Sequence, residues 1–138
     1  MDVILGGWDS QGPRATAIRL AVFVDEQGIP VSIELDNHDA QAVHALAIDT
    51  DGVVAGTGRL LPDAHIGRMA VLANYRGRGV GTQLLLALVA EARRRDYPGV
   101  VLSAQVHACP FYEAHGFVRV GEPFLEAGIP HVSMTLKF

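Results

Sequence analysis

The chain has one cysteine, Cys109, in 138 residues. A lone thiol excludes a disulfide within the chain and allows a reducing compartment, so the cytoplasm is the expected setting. Basic runs are nearly absent as well. Net charge is −4, and the only cluster is Arg93-Arg94-Arg95, which reads as cations complementing the dipole at a helix C-terminus. Nucleic acid is therefore not an expected partner. The opening Met-Asp-Val-Ile-Leu-Gly-Gly has neither a basic start nor a long apolar stretch, so no leader is expected there. No run approaches membrane-spanning length, and no membrane association is expected. Repeats, low-complexity segments and linkers are missing, which points to one domain over residues 1–138. Two phosphate-binding signatures are also missing. There is no Gly-Lys pair for a Walker loop. The pattern G-x-G-x-x-G fails from Gly77, where its last position is Thr82, and from Gly79, where it is Leu84. Neither ATP nor NAD chemistry fits.

What is present is a globular composition, 49% apolar and 19% charged, long enough to bury a core. A first strand is expected over Val3–Trp8. A helix follows, with Pro13 in its first turn, running to about Val24 and stopped by Gly28 and Pro30. Ser32 to Ala40 is polar and reads as a loop or a short irregular helix. Strands are expected at Val43–Ile48 and Val53–Leu61, joined by an Asp51-Gly52 turn, and at Ile66–Leu72. A helix over Thr82–Arg95 would bury Leu84, Leu85, Leu88, Val89 and Ala92, with Glu91 reaching Arg94 or Arg95. A buried strand at Val100–Ala104, a short helix at Pro110–His115 ended by Gly116, and strands at Phe117–Gly121 and His131–Lys137 complete the order. The fold class is α/β with a mixed sheet. It is a mostly antiparallel meander, with one crossover helix that makes the strands at 66 and 100 parallel neighbours.

Arg76-Gly77-Arg78-Gly79-Val80-Gly81-Thr82 lies between a strand and a helix. Its glycines permit close backbone approach, its arginines carry charge, and the helix that follows has unpaired N–H groups at its start. That combination binds a diphosphate. The pattern satisfied is R-x-x-G-x-G, by Arg76, Gly79 and Gly81.

This loop resembles the acyl-CoA pyrophosphate loop of the GNAT superfamily of N-acetyltransferases. The strand Ile66–Val71 precedes it and the helix follows it at the family's spacing. Phe111-Tyr112-Glu113-Ala114-His115-Gly116-Phe117 matches the family segment Y-E-x-x-G-F. Val22–Pro30 and Glu126–His131 resemble a small bacterial ElaA-like branch. The resemblance implies a GNAT-like fold with helices on both faces of the sheet, in which the central parallel strands splay apart to admit the pantetheine arm of acetyl-CoA.

The implied activity is N-acetyl transfer to a primary amine of a small polar or peptide-like acceptor, by direct attack in a ternary complex. The alternative is a non-catalytic acyl-CoA-binding module. Arg76, Gly77, Arg78, Gly79, Val80, Gly81 and Thr82 would hold the cofactor's phosphates. Met69, Ala70 and Val71 would line its arm, with the Met69 N–H facing the acyl carbonyl. Gln105 stands where the family often has asparagine, and Phe111 and Tyr112 complete the cofactor side. Tyr112 is the expected general acid toward the leaving thiolate.

The base is less defined. Glu34 and Asp36 can act through water, and Glu26, Glu126, His38, His44, His65, His107 and His131 are further candidates. Glu26, Arg59, Glu126 and His131 are expected around the acceptor; Arg59 either binds an acceptor carboxylate or pairs with Asp63 or Glu34. Asp36, His38 and His44 lack tight ligand spacing, so no metal is expected. A homodimer is expected by analogy with the family.

Overall fold

The computed structural model describes residues 1–34 and 36–138. Two antiparallel sheets form the frame. Strands β1 (Asp2–Gly6), β2 (Val43–Ile48), β3 (Val54–Leu60) and β4 (Ile66–Val71) lie in the order β1-β2-β3-β4. Strands β5 (Gly99–Gln105), β6 (Val118–Glu126) and β7 (Ile129–Lys137) form the second sheet, ordered β5-β7-β6. Helix α1 (Trp8–Arg19) packs on β2 and β3. The long helix α3 (Val80–Arg94) also packs on them, which is why Ala45, Leu46 and Ala47 of β2 are all buried. Two short helices, α2 (Val31–Glu34) and α4 (Cys109–Glu113), complete the chain.

Helix α3 anchors the core. Leu84, Leu85, Leu88 and Ala92 recur at helical spacing and are fully buried against the sheets; full burial of a leucine contributes about 1.5–3 kcal/mol. Glu91, itself buried, is bonded to Arg94 at 2.7 Å and Arg95 at 3.2 Å, as the spacing requires. The helix begins at Val80, not Thr82, so the last three residues of the glycine loop form its first turn.

The first helix differs more. It starts at Trp8, which leaves Pro13 inside it and ends β1 at Gly6. Gly12 permits this start, because a Cβ there would lie 3.0 Å from the Trp8 ring. Beyond Arg19 the chain does not stop. It widens into a π-helical stretch over Leu20–Glu26, with Gln27 N–H donating to Val22 O at 3.1 Å. The last hairpin is also longer than its apolar pattern suggests. Every residue of β6 is exposed, so its strand character comes from pairing with β7 and not from burial.

The expected parallel pair is reduced to its first contact. His65 and Val101 form a single parallel bridge, with Val101 N–H donating to Ala64 O at 3.1 Å. Past it, no pairing joins β4 to β5 among the described residues. The bend has a local cause. Thr57 pairs with Ala70 and Arg59 with Gly67, so Gly58 alone faces both Arg68 and Met69. This bulge carries Arg68 at φ +49°, and a bulged strand bends.

Candidate active site

The opening between β4 and β5 is a cleft of about 670 Å³. One wall is β4 with Ile33, Glu34 and the end of the π-helical stretch. The other is β5 from Leu102 to Gln105, with Tyr112, Glu126 and His131.

Arg76 brings the glycine loop to the cleft lining; Gly77 to Thr82 lie beyond the lining, with Gly81 beside Val71 and Phe111. Gly77 and Gly79 adopt φ of +76° and +78°, the left-handed region that suits glycine, and a Cβ at either would meet nothing. Gly79 caps α3, no side chain caps it, and the first helical bond is Gln83 N–H to Gly79 O. The N–H groups of Val80, Gly81 and Thr82 therefore have no partner inside the helix. Arg76 lines the cleft. Its guanidinium grips both oxygens of Glu26 at 2.8 Å, and its Nε donates to Val71 O. Arg78 lies over the Tyr75 ring, whose hydroxyl donates to Asp49. Phe111 is outside the cleft lining and packs 3.5 Å from the position of a Gly81 Cβ.

Met69, Ala70 and Val71 all line the cleft, and the bulge falls at Arg68–Met69. Gln105 reaches across the cleft mouth to donate to Gln27 Oε1 at 3.0 Å. Tyr112 is half-buried, edge-on to Phe111 and Phe117; burial pushes its phenol up to about 12, so it is protonated at neutral pH.

The polar residues expected at the acceptor end fall into two groups. Glu34 and Arg59 line the cleft but belong to an ionic network. Arg19 donates to Glu34 and Asp39. Arg59 donates to Asp36 at 2.9 Å and Asp39 at 2.8 Å. Arg68 reaches Asp36 at 3.1 Å and stands 3.3 Å from Glu34. Arg59 thus pairs with neither Asp63 nor Glu34. The Arg59 hydrogen bonds hold the Asp36 carboxyl far below the usual carboxylate range despite burial. His44 is buried, accepts the Trp8 ring as a neighbour and bonds through Nε2 to Asp39 O; burial pushes its pKa down. Arg19, Arg68 and Asp39 are the members that sequence reasoning missed, and the two arginines carried a signal. That signal is a charge inside an apolar segment, which demands a buried partner; Asp39, in a polar stretch, gave none.

His131 and Glu126 form the second group. His131 is only 7% exposed. Its Nδ1 lies 2.7 Å from Ile129 O, and Nε2 lies 3.4 Å from Glu126. Glu126 is exposed. No cluster of three or more metal-binding side chains occurs among the described residues. No helix among them is long and apolar enough to cross a membrane.

Two diverging antiparallel sheets, with a glycine loop opening a helix beside the cleft, define the acyl-CoA transferase fold class. The family profile described as "Acetyltransferase (GNAT) domain" matches residues 13–138, and the chain belongs to this family. It is 35% identical to the uncharacterized N-acetyltransferase YjcF of Bacillus subtilis, over 97% of this chain and 98% of that one. An acyl-CoA N-acyltransferase from Pseudomonas aeruginosa superimposes with a TM-score of 0.87 at 32% identity, covering 97% of each chain. Escherichia coli ElaA gives 0.87 at 30%, covering 98% of this chain and 99% of that one.

Proposed function

We propose that this single-domain chain transfers an acetyl group from acetyl-CoA to the primary amine of a small polar or peptide-like acceptor. Family membership supports the transferase class. The observation that carries the reading is the divergence of β4 from β5. It leaves the bulged backbone at Met69 and Tyr112 on opposite walls of one cleft, with the glycine loop joining its lining through Arg76.

The residues fit the cofactor. Left-handed Gly77 and Gly79 leave open space, and the unpaired N–H groups of Val80, Gly81 and Thr82 suit a diphosphate. Arg76 exchanges Glu26 for a phosphate oxygen, and Arg78 adds a second cation. Bound there, acyl-CoA supplies an activated thioester. Met69 N–H, at the bulge, polarises the acyl carbonyl. Tyr112, protonated at neutral pH as a phenol ordinarily is, donates its proton to the departing sulfur. Gln105 contacts the pantetheine arm.

For the base, Glu34 and Asp36 are weak choices. Both are held by guanidiniums, and a carboxyl held as far down as that of Asp36 accepts a proton poorly. His131 is the better one. Nδ1–H donates to Ile129 O, which leaves the Nε2 lone pair to take the amine's proton, and Glu126 faces the imidazolium so formed. The single cysteine accords with direct transfer and with a cytoplasmic setting.

Calorimetry with coenzyme A, followed by a thiol-release assay over a panel of amines, tests the reading. Tyr112→Phe is expected to lower kcat by about a hundredfold or more while coenzyme A affinity stays near wild type. Binding without turnover across the panel would favour the non-catalytic module.

A further inference from the structure

The acceptor end of the cleft holds an ionic network that the transfer chemistry above does not use. Three guanidiniums, of Arg19, Arg59 and Arg68, alternate with three carboxylates, of Glu34, Asp36 and Asp39. Their formal charges cancel, and His44, uncharged through burial, adds none. A buried network of this kind is stabilising only when its donors are met. Two are not. The Nε of Arg59 is buried and without a hydrogen-bond partner among the described residues, and that of Arg68 is buried with Glu34 Oε2 3.3 Å away but out of line for a hydrogen bond. Each unmet donor costs about 1–3 kcal/mol. Both sit on side chains that line the same cleft, and what the two donors lack is a well-aligned acceptor oxygen.

Arg68 carries a second cost. Its φ of +49° lies in the left-handed region, where a non-glycine residue is strained by about 1–3 kcal/mol. The bulge that imposes this strain sets its guanidinium against Glu34, Asp36 and the Ile33 carbonyl. Of the three guanidiniums, only that of Arg68 has real access to the cleft. Its side chain is 26% exposed, against 2% for Arg19 and 6% for Arg59.

We infer that Arg68, backed by Arg59, is a carboxylate-binding subsite, and that the acceptor is a small amino acid, an amine with a carboxylate a few bonds away. The inference rests on reading the cleft as an acyl-transfer site. Met69 follows Arg68 at the bulge and both line the cleft, so the carboxylate subsite neighbours the carbonyl-polarising N–H. The amine then points to the opposite wall, toward His131 and Glu126. A zwitterion adds no net charge to a balanced network, and a small turn of the Arg68 fork brings its donors onto the carboxylate. A plain alkylamine leaves those donors unmet.

The test is calorimetry on the protein saturated with coenzyme A. L-amino acids and β-alanine are titrated, each against its carboxamide. The acids are expected to bind about ten- to a hundredfold more tightly than the amides. Arg68→Gln is expected to erase that preference and leave coenzyme A affinity unchanged. Equal affinity of acid and amide across the panel overturns the inference, and so does an intact preference in folded Arg68→Gln. Should Arg68→Gln not fold, by its melting curve, the wild-type comparison decides alone. The transferase reading fails separately: acids preferred but no thiol released would sink it and leave the subsite standing. Without coenzyme A binding, the same acid–amide comparison on the free protein still decides the subsite.

Discussion

A histidine whose two ring nitrogens face different partners is a directional proton carrier. In His131 the Ile129 carbonyl fixes the Nδ1 proton, the neighbouring Phe124 ring stacks at 26°, and Nε2 turns to Glu126 at the cleft wall. The ring can therefore take a proton at one nitrogen without losing the bond at the other. Glutamine keeps a polar group there and cannot titrate. His131→Gln is expected to lower kcat about a hundredfold or more, with coenzyme A affinity unchanged. Thiol release measured at saturating coenzyme A thioester checks this, and turnover that survives the substitution places the base elsewhere. Glu126→Gln, one step further from the amine, should bring a smaller loss of rate.

At the scale of elements, the spacing of β3 from β4 sets the cleft's wall. Gly56 pairs with Val71, and a Cβ on it would lie 2.9 Å from the Ala70 carbonyl oxygen and 3.0 Å from Leu84 Cδ1. The first of these is backbone and cannot swing aside. Gly56→Ala is expected to cost about 1–3 kcal/mol and to weaken coenzyme A binding, because Val71 and Ala70 move with the strand. Gly67→Ala, in the same strand pair with nothing within 4 Å of its Cβ, should stay within about 0.5 kcal/mol of wild type. Urea midpoints at constant m separate the two.

The elements also show what could be read from the chain. The glycine loop and α3 were legible because their causes are local: left-handed glycines, a helix start, apolar residues at helical spacing. The π-helical stretch was not, since Leu20 to Val24 is as compatible with a regular helix. The parallel strand pair was half legible. Crossover handedness made β4 and β5 neighbours, but the bulge that parts them sits at an ordinary Arg-Met step. Least legible was the ionic network, whose partners Arg19, Glu34, Asp39 and Arg59 meet only through the tertiary fold. The separations are 15 residues for Arg19–Glu34 and 20 for Arg59–Asp39.

At the scale of the molecule, that network ties α1, β3 and β4 to the segment carrying Asp36 and Asp39, so its charge state governs whether the acceptor wall holds together. Hydrogen bonds from Arg59 hold Asp36 down against burial. For Asp39, burial pulls upward and the bonds from Arg19 and Arg59 outweigh it. Glu91, on α3, is brought to about 2 by Arg94 against burial, with Arg95 adding. In each case the folded pKa lies below the unfolded one, so the unfolded chain binds more protons. The stability these groups contribute is complete above the ordinary carboxylate range, about 4. It is lost as pH falls from there toward the folded values. His44 acts in the same direction from a higher onset, about 6.5, because burial disfavours its charged form. The urea midpoint is therefore expected to decline gently below about pH 6.5 and steeply below about pH 4. Asp39→Asn leaves two buried guanidiniums short of a counter-charge and should cost about 3–5 kcal/mol at neutral pH, with a shallower fall in acid. A midpoint unchanged down to about pH 3, or an Asp39→Asn variant as stable as wild type, would mean that packing alone holds this wall and that the ions merely decorate it.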